Sequence, residues 1–201
     1  MLTSLRTFSK AYWISAASEL RSLRRLVFAA LIAAITIVVG GVFVPVGENL
    51  RVYFTFLVTS VGCAIYGPVM GLLVGVVTDT LNYIIFNSGA YFPGYLISEM
   101  MGNLIFALFL YRKRITILRL FSARLIINVF VNIFLGSVWS AMLYSRGFYF
   151  YLSQSVVKNL VLLPVEVIAM TALFRLLLPR LSKLKALVPH DATRQQLIPW
   201  F

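Results

Sequence analysis

The chain has 201 residues, 61% of them hydrophobic, at a mean hydropathy of +0.92, which excludes an ordinary soluble domain, where the apolar share is about half. Its net charge of +12 comes from 18 Lys and Arg against 6 Asp and Glu; because the basic residues flank apolar runs, they fit lipid headgroups rather than nucleic acid. The single histidine, His190, and the single cysteine, Cys63, exclude a His-ligated metal or a Ser-His pair inside the apolar runs, and an intrachain disulfide.

The apolar runs predict an all-α integral membrane protein, a six-transmembrane-helix bundle, since a spanning helix needs about 20 mostly apolar residues. Residues 1–25 read as a cytoplasmic N-terminal segment, with an amphipathic surface helix from Phe8 to Leu23. Residues 26–178 form the substrate-binding bundle, with spans at 26–44, 52–66, 68–86, 93–111, 124–144 and 156–178. The second and third meet at Tyr66-Gly67-Pro68. Residues 179–201 form a basic cytoplasmic tail.

Span one carries two overlapping small-residue pairs, Ala29 with Ala33 and Ala30 with Ala34, either of which lets another helix approach closely. Span three opens with Gly67, Gly71 and Gly75, spaced four apart, a smooth face for a close neighbour. Spans three and four each carry a carboxylate, Asp79 and Glu99, on either side of an uncharged connector running from Asn87 to Tyr95 with Tyr91, Phe92 and Pro93 inside it. Ionisable groups within hydrocarbon are usually functional. The connector's Gly and Pro punctuation beside three aromatics suits a rigid lid.

Lys and Arg in short loops set orientation, because positive loops stay in the cytoplasm. Arg6, Lys10, Arg21, Arg24 and Arg25 precede span one; Arg112, Lys113, Arg114, Arg119 and Arg124 lie between spans four and five; Arg175, Arg180, Lys183, Lys185 and Arg194 follow span six. The other side holds Arg51, Arg146 and Lys158. Both termini are therefore expected to be cytoplasmic.

This topology gathers polar and aromatic residues in the outer half of the bundle. Arg51 and Tyr53 begin span two, Asp79, Asn82 and Tyr83 end span three, Tyr91, Phe92 and Glu99 open span four, Trp139 closes span five, and Lys158 and Asn159 enter span six. Asp79, Asn82 and Tyr83 share a helical face at i, i+3 and i+4. Carboxylate, amide, ring and cation together suit a flat heteroaromatic ligand that bears acidic groups. A structural ion pair of Asp79 or Glu99 with Arg51 or Lys158 is the competing reading. Glu166, after Pro164, is read as satisfying backbone groups freed by a kink, and Arg124 and Asn128 as meeting headgroups or a partner. No enzyme is expected: a nucleophile with its base is missing, and no Gly-x-x-x-x-Gly-Lys phosphate loop occurs.

The order of Glu19-Leu20 with Arg24, Asn49-Leu50-Arg51-Val52-Tyr53-Phe54, Tyr66-Gly67-Pro68 leading to Asp79, Ser88-Gly89-Ala90-Tyr91-Phe92-Pro93-Gly94-Tyr95, Phe130-Val131-Asn132, Lys158-Asn159 and Leu163-Pro164-Val165-Glu166 resembles a family over nearly the whole chain. That family is the substrate-capture (S) components of energy-coupling factor vitamin transporters, of the folate-specific type. The resemblance implies a bacterial plasma-membrane subunit that captures folate from outside without a cofactor or metal. It also implies partners: a transmembrane coupling protein and two cytoplasmic ATPases that supply the energy. The first-helix alanines of the family's partner interface map to Ala29 and Ala33, with Ala30 and Ala34 as the overlapping choice. Other vitamins or precursors (thiamine, riboflavin, a queuosine precursor) and a non-transporting scaffold subunit are the alternatives.

Overall fold

The computed structural model describes residues 10–45, 51–86, 91–144 and 147–181. Connector residues Asn87 to Ala90 and the basic tail beyond 181 lie outside the described residues. A short helix, α1 (Lys10–Ser18), runs through a single 3-10 turn (Glu19–Arg21) into α2 (Leu23–Gly40). The paired glycines Gly40 and Gly41 end α2, and the chain continues as a two-stranded antiparallel ribbon, β1 (Phe43–Pro45) with β2 (Arg51–Tyr53), in register Phe43↔Tyr53 and Val44↔Val52. Then come α3 (Thr55–Phe86), α4 (Pro93–Leu110), α5 (Ile117–Ile126), a π-helical stretch (Ile127–Leu135), α6 (Gly136–Leu143) and α7 (Phe148–Leu181).

Five continuous helical stretches are long and apolar enough to cross a membrane: Leu23–Gly40, Thr55–Phe86, Pro93–Leu110, Ile117–Leu143 and Phe148–Arg180. The protein is a multi-pass membrane protein. The expected second and third spans appear as the single element α3, broken at Gly67, whose φ of 81° and ψ of −175° are not helical. Only glycine holds that conformation readily, and a Cβ there would also meet the Tyr111 ring at 3.0 Å. Pro68 reinforces the break by removing a backbone donor.

The expectation of an all-helical chain needs one addition, the ribbon. Span one was expected to run to 44 and span two to start at 52, but residues at both edges are β-prone Phe, Val and Tyr, and they pair as strands. The fifth helix begins at Ile117 rather than 124, where the Thr116 side chain caps it by accepting from the Arg119 amide at 3.2 Å. The last begins at Phe148 rather than 156, because the aromatic run Phe148–Tyr151 winds into α7.

The core forms where α3 packs extensively against α2 and α4. A Cβ on Gly75 would fall 3.2 Å from the Met100 backbone, so the glycine face of α3 receives α4 as its spacing predicts. On α2 the two alanine pairs separate: Ala29 and Ala33 are buried, and Ala30 and Ala34 are exposed. At the end of the bundle near α1, buried Glu19 pairs with Arg25 and with Arg112 (3.1 Å), and accepts from the Tyr111 hydroxyl at 2.7 Å. Burial raises the Tyr111 pKa above its usual value, so the phenol stays protonated as the donor.

Candidate functional site: a polar cavity between the ribbon and four helical stretches

A cavity of about 170 Å³ opens beneath β2. The ribbon contributes Arg51 and Tyr53, α3 contributes Phe56 and Thr59, and α4 contributes Ser98, Glu99 and Asn103. Arg124 of α5, Asn132 of the π-helical stretch, and Lys158, Asn159 and Glu166 of α7 complete the polar lining. Placing so many polar groups at membrane depth is tolerated only where they face a cavity or one another.

Of the residues expected to bind ligand, Arg51, Tyr53, Glu99, Lys158 and Asn159 line this cavity. Phe92 and Trp139 form the layer behind it. Their rings meet edge to face at 5.6 Å, and the Trp139 indole donates to Ser98 Oγ at 3.0 Å. Gly94 makes room for this contact, since a Cβ there would reach Trp139 at 2.7 Å. Asp79, Asn82, Tyr83 and Tyr91 stand apart from the lining. Tyr83 and Tyr91 pack on each other at 5.1 Å, and Asn82 lies against the end of α2 near Gly40. The α3 face that carries Asp79, Asn82 and Tyr83 thus lies outside the cavity lining. The alternative ion pair of Asp79 or Glu99 with Arg51 or Lys158 does not form among the described residues.

Arg124, Asn128 and Glu166 behave differently from expectation. Arg124 clamps Glu166 through two hydrogen bonds, Nε to Oε2 at 2.7 Å and Nη2 to Oε1 at 2.5 Å, and its guanidinium lies 4.3 Å from the Phe56 ring centre. Asn128 Nδ2 donates to Glu166 Oε2 at 2.9 Å, and Asn132 Nδ2 donates to Asn128 Oδ1 at 2.8 Å. Arg124 is therefore buried rather than free at a span end, and it neutralises a buried acid on the facing helix. The signal was present in the sequence, since a lone intramembrane Glu calls for a cation at similar depth.

With Arg124 and Glu166 neutralising each other, the remaining charges are Arg51 and Lys158 on one wall and Glu99 on another. Lys158 Nζ donates to the Arg51 carbonyl at 3.4 Å, which keeps the two cations side by side. The Arg51 guanidinium rests 4.4 Å from the Phe43 ring centre, so the ribbon positions it. Charges of this kind can pair with acids at the cations and with hydrogen-bond donors at Glu99.

A bundle of membrane-spanning helices around this lining defines an integral membrane protein with an internal polar cavity. A family profile described as "ECF-type riboflavin transporter, S component" matches residues 20–180, and the chain belongs to that family. Among curated relatives, a folate transporter of Clostridium novyi is 30% identical over 119 residues, covering 59% of this chain and 69% of the relative. One of Leuconostoc mesenteroides subsp. mesenteroides is 29% identical over 151 residues, covering 72% and 80%. The fold is shared with a crystal structure described as FolT bound with folic acid, at a TM-score of 0.69 and 24% identity, covering 74% of this chain and 91% of that one.

Proposed function

We propose that this chain captures folate from outside the cell and delivers it to an energy-coupling complex of a transmembrane coupling protein and two cytoplasmic ATPases. The observation that carries the substrate is the pairing of Arg51 with Lys158 in a lining that also holds an acid, Glu99, from another helix. A folate has two carboxylates at one end and an amino-pyrimidinone edge at the other, so both walls find partners. Glu99 takes the donor pair of that edge, Tyr53 stacks on the ring system, and the two cations hold the glutamate. Asp79, Asn82, Tyr83 and Tyr91 stand outside the lining and act on entry rather than in the bound state.

Riboflavin is the second reading, because the family's own description names it. It carries no acid, and would leave Arg51 and Lys158 without a counter-charge. The names of the two relatives also support folate.

Counting the halves of α3 on either side of Gly67 separately gives six spans, with both termini cytoplasmic as the distribution of Lys and Arg requires. In this reading the exposed pair Ala30 and Ala34 meets the coupling protein, while Ala29 and Ala33 pack internally. Substituting Ala34→Leu is expected to leave ligand affinity unchanged and to cut uptake by about tenfold or more, an interface loss of about 1.4 kcal/mol. Parallel binding and uptake assays check this.

The substrate itself is tested by thermal unfolding of the detergent-purified chain against a vitamin panel. A ligand at about 100 times its dissociation constant adds about 2.7 kcal/mol of stability. A shift with folates and none with riboflavin is the expected result. A shift with riboflavin alone would move the substrate, and no shift with any vitamin would favour a scaffold role.

A further inference from the structure

Three asparagines line the cavity, and the amide group of each is fixed by what its nitrogen must face. Glu166 is acceptor-only as a carboxylate and already takes two bonds from Arg124. The Asn128 nitrogen lies between two acceptors, Glu166 Oε2 at 2.9 Å and the Asn159 carbonyl at 3.4 Å, so it cannot exchange places with its oxygen. The Asn128 oxygen therefore faces Asn132, which is obliged to donate through its own nitrogen. Polarity set at the buried ion pair thus passes along two amides and leaves the Asn132 oxygen as the end of the chain.

Asn159 and Asn103 are fixed in the same sense. Asn159 Nδ2 donates to the Ser155 carbonyl at 2.8 Å, and Asn103 Nδ2 donates to the Glu99 carbonyl at 2.9 Å. The Asn103 oxygen is occupied by the Cys63 thiol at 3.2 Å. The oxygens of Asn132 and Asn159 have no donor among the described residues. Thr59 and Ser98 spend their hydroxyl protons on the Thr55 and Gly94 carbonyls, which leaves the hydroxyls of Tyr53 and Thr55, beside the ribbon, as donors in the lining. Away from the cations and the ribbon, the acceptors that the lining presents are two amide oxygens and the Glu99 carboxylate.

An acceptor left without a donor once a ligand has displaced the water costs free energy, and a lone pair aimed at it costs more. The oxidised pterin ring offers donors on its amino-pyrimidinone edge alone, and the nitrogens of its second ring carry lone pairs. Reduction converts those nitrogens to N–H groups, one in the dihydro form and two in the tetrahydro form. We propose that this cavity selects reduced folates over the oxidised vitamin, because the amide oxygens of Asn132 and Asn159 are locked as acceptors for the reduced ring's additional N–H groups. The inference rests on the folate reading above and adds the oxidation state of the ligand to it. Asn128, Glu166 and Arg124 serve as positioning residues for Asn132.

The test is the dissociation constant of the full-length purified chain for tetrahydrofolate, dihydrofolate and folic acid, measured by titration calorimetry under anaerobic, reducing conditions. Tetrahydrofolate is expected to bind about tenfold or more tighter than folic acid, with dihydrofolate between them, as two additional hydrogen bonds imply. The Asn132→Ala and Asn159→Ala variants should lower the ratio of the two affinities toward one. Asn128→Leu should do the same through loss of orientation, a change in selectivity that a purely structural role would not produce. Equal affinities for the three ligands in the unmodified chain would overturn the proposal while leaving folate capture standing. A ratio that persists in the Asn132→Ala, Asn159→Ala double variant would overturn it too. Binding of none of them would overturn both.

Discussion

Replacing Arg124 by alanine is expected to destabilise the protein by about 3–5 kcal/mol, the cost of leaving a buried charge without its partner. Glu166 is 5% exposed and Arg124 6% exposed, so neither is relieved by water when the other is removed. The loss extends beyond the pair, because Asn128 and through it Asn132 take their orientation from the Glu166 carboxylate. Glu166→Ala should cost a similar amount. Removing both charges together, as Arg124→Met with Glu166→Leu, should recover most of the stability, since a well-packed apolar pair often equals or exceeds a buried ion pair. Thermal unfolding in detergent reads all three variants. A small effect of Arg124→Ala alone would mean that water reaches Glu166, contrary to its burial. The double variant carries a second consequence: restored stability without restored ligand selectivity would separate the role of this pair in folding from its role in orienting the cavity amides.

Much of the architecture was legible because lipid imposes simple rules. Apolar runs, the Gly67-Pro68 break and the glycine face toward α4 follow from hydropathy and from backbone geometry. The ribbon was not legible. Phe43 to Pro45 and Arg51 to Tyr53 are three-residue strands at the edges of apolar runs, and hydropathy alone extends the neighbouring helices through them. The π-helical stretch was hidden too, since a wider helical turn leaves no compositional mark in Ile127–Leu135. Its effect on the site is nonetheless direct, because it carries Asn128 and Asn132.

The site was half legible for a related reason. Charge and polarity within apolar runs marked Arg51, Glu99, Lys158 and Asn159, which line the cavity, but depth along a helix says nothing about azimuth. Asp79 and Glu99 lie at similar depth on neighbouring elements, yet Glu99 lines the cavity and Asp79 does not. Arg124 was misassigned because a basic residue near a span end ordinarily meets headgroups. Extending the helix back to Ile117 moves Arg124 a full two turns inside it.

The second large effect is expected at Lys158. Changing it to glutamine should weaken folate binding by about 10- to 100-fold, since a hydrogen bond to a charged group contributes about 1.5–3 kcal/mol and each 1.4 kcal/mol is tenfold. Arg51 sits beside it on the exposed ribbon, where water and salt screen it, so Arg51→Gln alone should cost less, about 1 kcal/mol or under. The ligand provides the control that separates a direct contact from a general disturbance of the cavity. Pteroic acid has the same ring system but no glutamate, and if Lys158 holds the glutamate, pteroic acid should bind the Lys158→Gln variant and the unmodified chain equally. Equal losses for both ligands would place Lys158 elsewhere in the binding energetics. The salt dependence discriminates further, because a partly screened Arg51 contact weakens as ionic strength rises, whereas the more enclosed Lys158 contact is screened less. Raising salt should therefore narrow the difference between the unmodified chain and Arg51→Gln while leaving the Lys158→Gln deficit largely in place.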